Sequence, residues 1–120
     1  MDGGAAFPRS HRLLRADEFT GVFKAPDVNK ASGPLRLRAR KNKMRSARLG
    51  LVVTKKGNRT AVRRNRIKRL IRETFRQYHA DLAPYDIVIQ VFAPLEDQRL
   101  LRMLNESFAQ LLMDGVEERV

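Results

Sequence analysis

From Arg59 to Arg76 the chain reads Arg-Thr-Ala-Val-Arg-Arg-Asn-Arg-Ile-Lys-Arg-Leu-Ile-Arg-Glu-Thr-Phe-Arg, eight cations against the single acid Glu73. Guanidinium groups grip phosphate oxygens through paired N–H donors and stack on bases. The chemistry on offer is recognition of a polyanion, and structured RNA fits it best. At about 100° per residue, Ile67, Leu70, Ile71, Thr74, Phe75 and Tyr78 gather on one side of a helix. Arg64, Lys68 and Arg72 repeat beside them at four-residue steps, and Asn65, Arg69 and Arg76 carry the polar side further round. Like charges so placed repel by a few tenths of a kcal/mol per pair, roughly, so the face is built for something anionic. Asn65 both donates and accepts, which suits a base edge or a ribose hydroxyl.

Groups for acid–base or metal chemistry are scarce. A protein nuclease needs placed acids, bases or metal ligands. The two histidines are His11, in a segment that reads as loose, and His79, at a helix end. Glu96-Asp97 precedes a helix, where capping is the better reading. Asp81 and Asp86 flank a turn without a third ligand. No glycine-rich loop cradles phosphate. The sequence therefore predicts no catalytic residue, no metal site and no cofactor held by the protein. With no cysteine there is neither a disulfide nor a thiolate site, and a reducing compartment is allowed.

Those cations sit in an uneven chain. The 120 residues suit a single domain, 1–120, with a loose start at 1–10 and a tail at 114–120. Net charge is +12, yet residues 36–76 hold 17 of the 25 Lys and Arg and one of the 13 acids, a balance of +16. A field that concentrated calls for a neutralising partner. The start lacks the apolar stretch of a secretory signal, and Ile87–Ala93 is too short to span a bilayer. The expectation is a cytoplasmic protein with no membrane partner.

The elements that must position the helix can be read from pattern. A first helix fits Leu13–Phe23, with Leu14, Phe19, Val22 and Phe23 on one face and Asp17 and Glu18 in its first turn. Pro26–Pro34 reads as turn and loop. Residues 35–40 alternate Leu and Ala with Arg, a half-buried strand with arginines on its open side. Lys41–Ser46 reads as a basic hairpin connection into a strand at 48–56, which Gly57-Asn58 breaks. Thr60 caps the long helix to about His79. A strand at 85–92 reads as central, and a last helix runs from Glu96 or Asp97 to about Met113, with Gly115 as its end signal. The expected class is α+β, a small α–β sandwich of order α-β-β-(β)-α-β-α, with helices on one sheet face and part of the other open.

The run Lys55-Lys56-Gly57-Asn58, then Ala61-Val62-Arg63-Arg64-Asn65-Arg66-Ile67-Lys68-Arg69-Leu70-Ile71-Arg72-Glu73 and Phe75-Arg76, closely resembles the signature of the bacterial ribonuclease P protein component. Asp17-Glu18-Phe19 with Val22-Phe23, the strand Arg48–Val53 and Asp86-Ile87-Val88-Ile89 fall where that family has them, so the likeness covers roughly residues 7–113. The resemblance implies a left-handed crossover through the long helix. It implies that Arg64, Asn65, Arg66, Lys68, Arg69 and Arg72 contact a catalytic RNA. It implies a cleft by the first helix for the single-stranded 5′ leader of precursor tRNA, with Phe19 and Phe23 in it and Lys55 and Lys56 at its edge. Cationic grooves with aromatic planes suit single strands. Cleavage would leave a mature 5′ end, the RNA subunit doing the chemistry with magnesium ions. Many relatives place valine after the two lysines, whereas this chain has Gly57-Asn58-Arg59-Thr60. Residues 35–40 lack the first-strand aromatic that many relatives carry.

The alternative is a non-catalytic ribosomal or general RNA-binding protein. A DNA-reading helix is not expected, because paired short helices joined by a tight turn are missing.

Overall fold

The computed structural model describes residues 9–13 and 15–119. The loose start read at residues 1–8 and the place of Leu14 fall outside them. The described chain builds helix α1 (Ala16–Lys24), strands β1 (Val28–Ser32), β2 (Leu35–Lys41) and β3 (Arg48–Val53), helix α2 (Ala61–Tyr78), strand β4 (Tyr85–Val91) and helix α3 (Asp97–Arg119). The expected α+β order holds, and the third strand left open in it is formed.

Strand order in the sheet is β1-β2-β4-β3, with β3 parallel to β4 and the other pairs antiparallel. The central position expected for residues 85–92 goes to β4, whose Tyr85, Ile87, Val88, Ile89 and Val91 are all buried. Helix α2 is the crossover between the adjacent parallel strands β3 and β4.

Four expectations give way here. Residues 28–32, read as loop, form an edge strand. Their composition is poor for a strand, and pairing with β2 through the two-residue turn Gly33-Pro34 holds them. Gly33 has φ +57°, which a hairpin turn of this length asks of glycine. Lys41–Ser46 is not a hairpin, since β2 and β3 do not pair and each lies against β4. The helices occupy both sheet faces. Finally, α3 runs through Gly115 to Arg119, because a lone glycine costs a helix only about 1 kcal/mol and no proline follows.

The sheet's alternation sorts the two faces. Leu35, Leu37, Ala39, Leu49, Ile87, Ile89 and Val91 meet Ile67, Ile71 and Phe75 of α2 and Leu100, Leu104 and Phe108 of α3 in the main core. On the other side Val88 packs with Leu13 and Val22, and Phe19 and Val52 close around them. So α1 covers only part of that second face. Gly50 makes the close approach possible: a Cβ there would lie 2.6 Å from the Phe19 ring.

The N-terminal segment also docks. Arg12 bridges Leu49 in parallel, the Leu13 amide donates to the Leu49 oxygen at 3.0 Å, and His11 stacks on His79 with ring centroids 3.7 Å apart. His11 is therefore held rather than loose. Burial, and then the charge of His79, hold the His11 pKa below its ordinary 6.5. A depressed histidine value favours the folded contact above pH 6.5 and weakens it as pH falls. Exchange protection of the Leu13 amide should accordingly drop between neutral pH and pH about 5, with a smaller drop in His11→Phe.

Candidate nucleic-acid interface

Helix α2 is anchored before it is charged. The Thr60 hydroxyl accepts the Arg63 amide proton at 3.1 Å, the cap that the sequence predicts. Ile67, Ile71, Thr74 and Phe75 are buried. Thr74 donates its hydroxyl proton to the Leu70 oxygen at 2.8 Å, so this polar group costs little inside. With that side fixed, the cationic side must face away from the core.

Three settings divide the predicted contacts along this helix. Arg64 donates to the Asn58 and Arg59 oxygens at 3.0 and 2.8 Å, closing the loop onto the helix. Lys68 and Arg72 look across β3 toward α1, where with Arg12, Phe19 and Gly50 they line a groove of about 200 Å³. Burial, and after it the charge of Arg12, pulls the Arg72 guanidinium below its ordinary value. Asn65, Arg66, Arg69 and Arg76 are exposed on the outer side.

Two of the outer arginines touch carboxylates. Arg66 Nε lies 2.7 Å from Asp97 Oδ2, and Arg69 Nε lies 3.1 Å from Glu73 Oε1. Arg63 Nη1 takes Asp97 Oδ1 at 2.6 Å, and its Nη2 donates to the Leu95 oxygen. Hydrogen bonds from Arg63 and then Arg66 hold the Asp97 carboxyl below the usual carboxylate range. Asp97 thus joins α3 to α2, where capping had been the expected role. The side chains of Arg66 and Arg69 remain 57% and 71% exposed, so the pairing leaves them open to a ligand.

The leader-side residues do not form one cluster. Phe19 is half-buried over Gly50 and forms a wall of the groove. Phe23, one turn on, stands over β2 with the Arg38 guanidinium 5.1 Å from its ring centre, and Arg38 also donates to Gln90 Oε1. Lys55 and Lys56 are exposed in the turn after β3, closed by the Asn58 amide on the Lys55 oxygen at 3.1 Å. Between these points the register sets Val52, Gln90 and Arg36 side by side, all half-exposed. Arg36, Arg38 and Arg40 do lie on the strand side away from the main core, as their alternation with Leu and Ala predicts. Arg12 and Gln90 carry no such local signal. Only the docking of the N-terminal segment and the strand pairing bring them here.

Asp86, which with Asp81 flanks the turn before β4, is committed to an arginine. Arg48 holds it through Nε and Nη2, each at 2.8 Å, while Nη1 reaches Glu18 at 2.8 Å. His79 donates from Nε2 to the Ala47 oxygen at 3.1 Å. Among the described residues no group of three His, Asp or Glu is placed to hold a metal, and no helix is long and apolar enough to cross a membrane.

The model of the Ribonuclease P family matches residues 7–113. The ribonuclease P protein component of Halorhodospira halophila is 40% identical over 112 residues, covering 91% of this chain and 92% of the relative. That of Stutzerimonas stutzeri is 47% identical over 108 residues, covering 88% and 82%. Among solved structures, the RNase P protein of Staphylococcus aureus superposes with a TM-score of 0.67 at 27% identity, covering 92% of each chain. That of Thermotoga maritima gives 0.58 at 28% identity, covering 89% and 92%.

Proposed function

Because this chain belongs to the ribonuclease P protein family, and so is the protein subunit of an endoribonuclease that matures tRNA 5′ ends, we propose that its part is to bind and align RNA through α2 and the groove beside α1. The observation that carries this is the rigid seating of α2, with Asn65, Arg66, Arg69 and Arg76 on its exposed side. The partner on that side is the catalytic RNA subunit. Phosphates along a folded RNA are spaced closely enough for successive helical turns to meet several at once, and each contact releases counterions.

The second strand to be bound is the 5′ leader of precursor tRNA. The groove and the open sheet face offer it Phe19, Phe23, Lys55 and Lys56, with Arg36 and Arg38 between. Rings take base faces and cations take phosphates, which is a sequence-tolerant way to hold a single strand.

The hydrolysis itself belongs to the RNA subunit. Magnesium ions would supply Lewis-acid assistance and a metal-bound nucleophile there. This protein face does not fit them: it is cationic, and its carboxylates Asp97 and Glu73 are engaged by arginines. What the chain contributes is charge screening and substrate alignment, in the cytoplasm where tRNA is processed.

Reconstitution with a transcribed bacterial ribonuclease P RNA tests this. The chain should raise cleavage of precursor tRNA at low magnesium and favour substrate with a leader over mature tRNA. Phe19→Leu should keep affinity for the RNA subunit and lose part of that preference. Equal affinity for precursor and mature tRNA, at fixed salt, would overturn the alignment role.

A further inference from the structure

Arginines in this protein meet carboxylates in two different ways. Arg48 is engaged through every nitrogen: Nε and both terminal nitrogens are taken by Asp86 and Glu18, and its side chain is only 15% exposed. That is a structural arginine. Arg66 and Arg69 give up Nε alone, to Asp97 and Glu73. Their Nη1–Nη2 edges have no partner among the described residues, and both side chains are more than half exposed.

A guanidinium is planar, so a hydrogen bond at Nε restricts the orientations open to the whole fork. An arginine otherwise gives up considerable rotamer freedom on binding, and pre-orientation removes part of that cost. Asp97 is itself well placed to hold such a group. It opens α3, where the helix dipole favours an anion, and the half-buried Arg63 anchors its other oxygen. Glu73 holds Arg69 from one turn further along α2.

We propose that Asp97 and Glu73 are positioning residues that hold the forks of Arg66 and Arg69 ready for RNA phosphates. The inference rests on the reading of α2 as the RNA-contacting helix. It carries a sign opposite to simple electrostatics. Removing an acid from a cationic interface should strengthen RNA binding if charge alone matters. Removing a positioning acid should weaken it.

The test is a double-mutant cycle with a bacterial ribonuclease P RNA transcript at fixed salt. Asp97→Asn and Glu73→Gln should each reduce affinity about fivefold, and Arg66→Ala and Arg69→Ala about tenfold. In the Arg66→Ala background Asp97→Asn should cost nothing more, and likewise Glu73→Gln in Arg69→Ala. A merely structural role would leave the two effects additive. Glu73→Gln touches an exposed pair within one helix, so it keeps the test valid even if Asp97→Asn loosens α3. Tighter binding by either acid variant, or additive losses, would overturn the proposal. If Arg66→Ala and Arg69→Ala both bind like the native chain, it is the helix assignment that fails, and the proposal with it.

Discussion

Lys68→Glu combined with Arg72→Glu should lower the affinity of the reconstituted complex for precursor tRNA about a hundredfold at moderate salt while leaving the fold intact. Both side chains lie beside the groove that Phe19 and Arg12 share, on the flank of α2 nearest α1. Each reversal removes one phosphate contact and adds one repulsion. Neither residue belongs to the main core, so the unfolding midpoint should hardly move. The plot of log affinity against log salt should also become shallower, by about two phosphate contacts. Binding titrations at several salt concentrations give both quantities. A hundredfold loss without any change in slope would mean that the double variant had disturbed shape rather than charge.

Arg48→Met should have the largest effect on stability, a loss of about 3 kcal/mol in urea denaturation. The Asp86 carboxylate is held by Arg48 and by the Asn42 amide, which donates at 2.8 Å. Arg48 also ties β3 to α1 through Glu18, whose other oxygen accepts the Arg15 amide proton at 2.9 Å at the start of that helix. Removing the cation takes the charged partner from two carboxylates, 14% and 20% exposed, and cuts the polar tie between α1 and the sheet. Because α1 forms one wall of the groove, leader preference should fall as well. A loss below about 1 kcal/mol would show these pairs to be solvated surface contacts.

The sequence was most legible where one periodicity ruled a long segment. Helix α2 shows its apolar stripe, its Thr60 cap and its cationic side without help, and β4 shows its burial in the density of Ile, Val and Tyr. The shorter elements were not so readable. Val28–Ser32 has one strongly apolar residue and becomes a strand through its partner β2. Lys41–Ser46 looked like a hairpin because adjacent strands usually pair, and here β4 intervenes. The placement of α1 on the opposite face from α2 and α3 depends on Gly50 admitting Phe19, a contact between residues 31 apart. At the interface the residue types were legible but their partners were not. Asp97 looked like a cap and proves to be shared by Arg63 and Arg66 from another helix. Arg12 joins the groove only because its segment bridges β3.

A tethered cleavage probe tests most directly whether the outer side of α2 faces the catalytic RNA. The native chain has no cysteine, so single sites can be labelled cleanly. Val62→Cys places an iron–EDTA group on that side, where the native side chain is 80% exposed, and Glu106→Cys places one on the exposed side of α3. In the reconstituted complex the probe at 62 should cut the ribonuclease P RNA at a confined set of nucleotides and the probe at 106 should not. Strong cutting from 106 with none from 62 would contradict the assignment of α2.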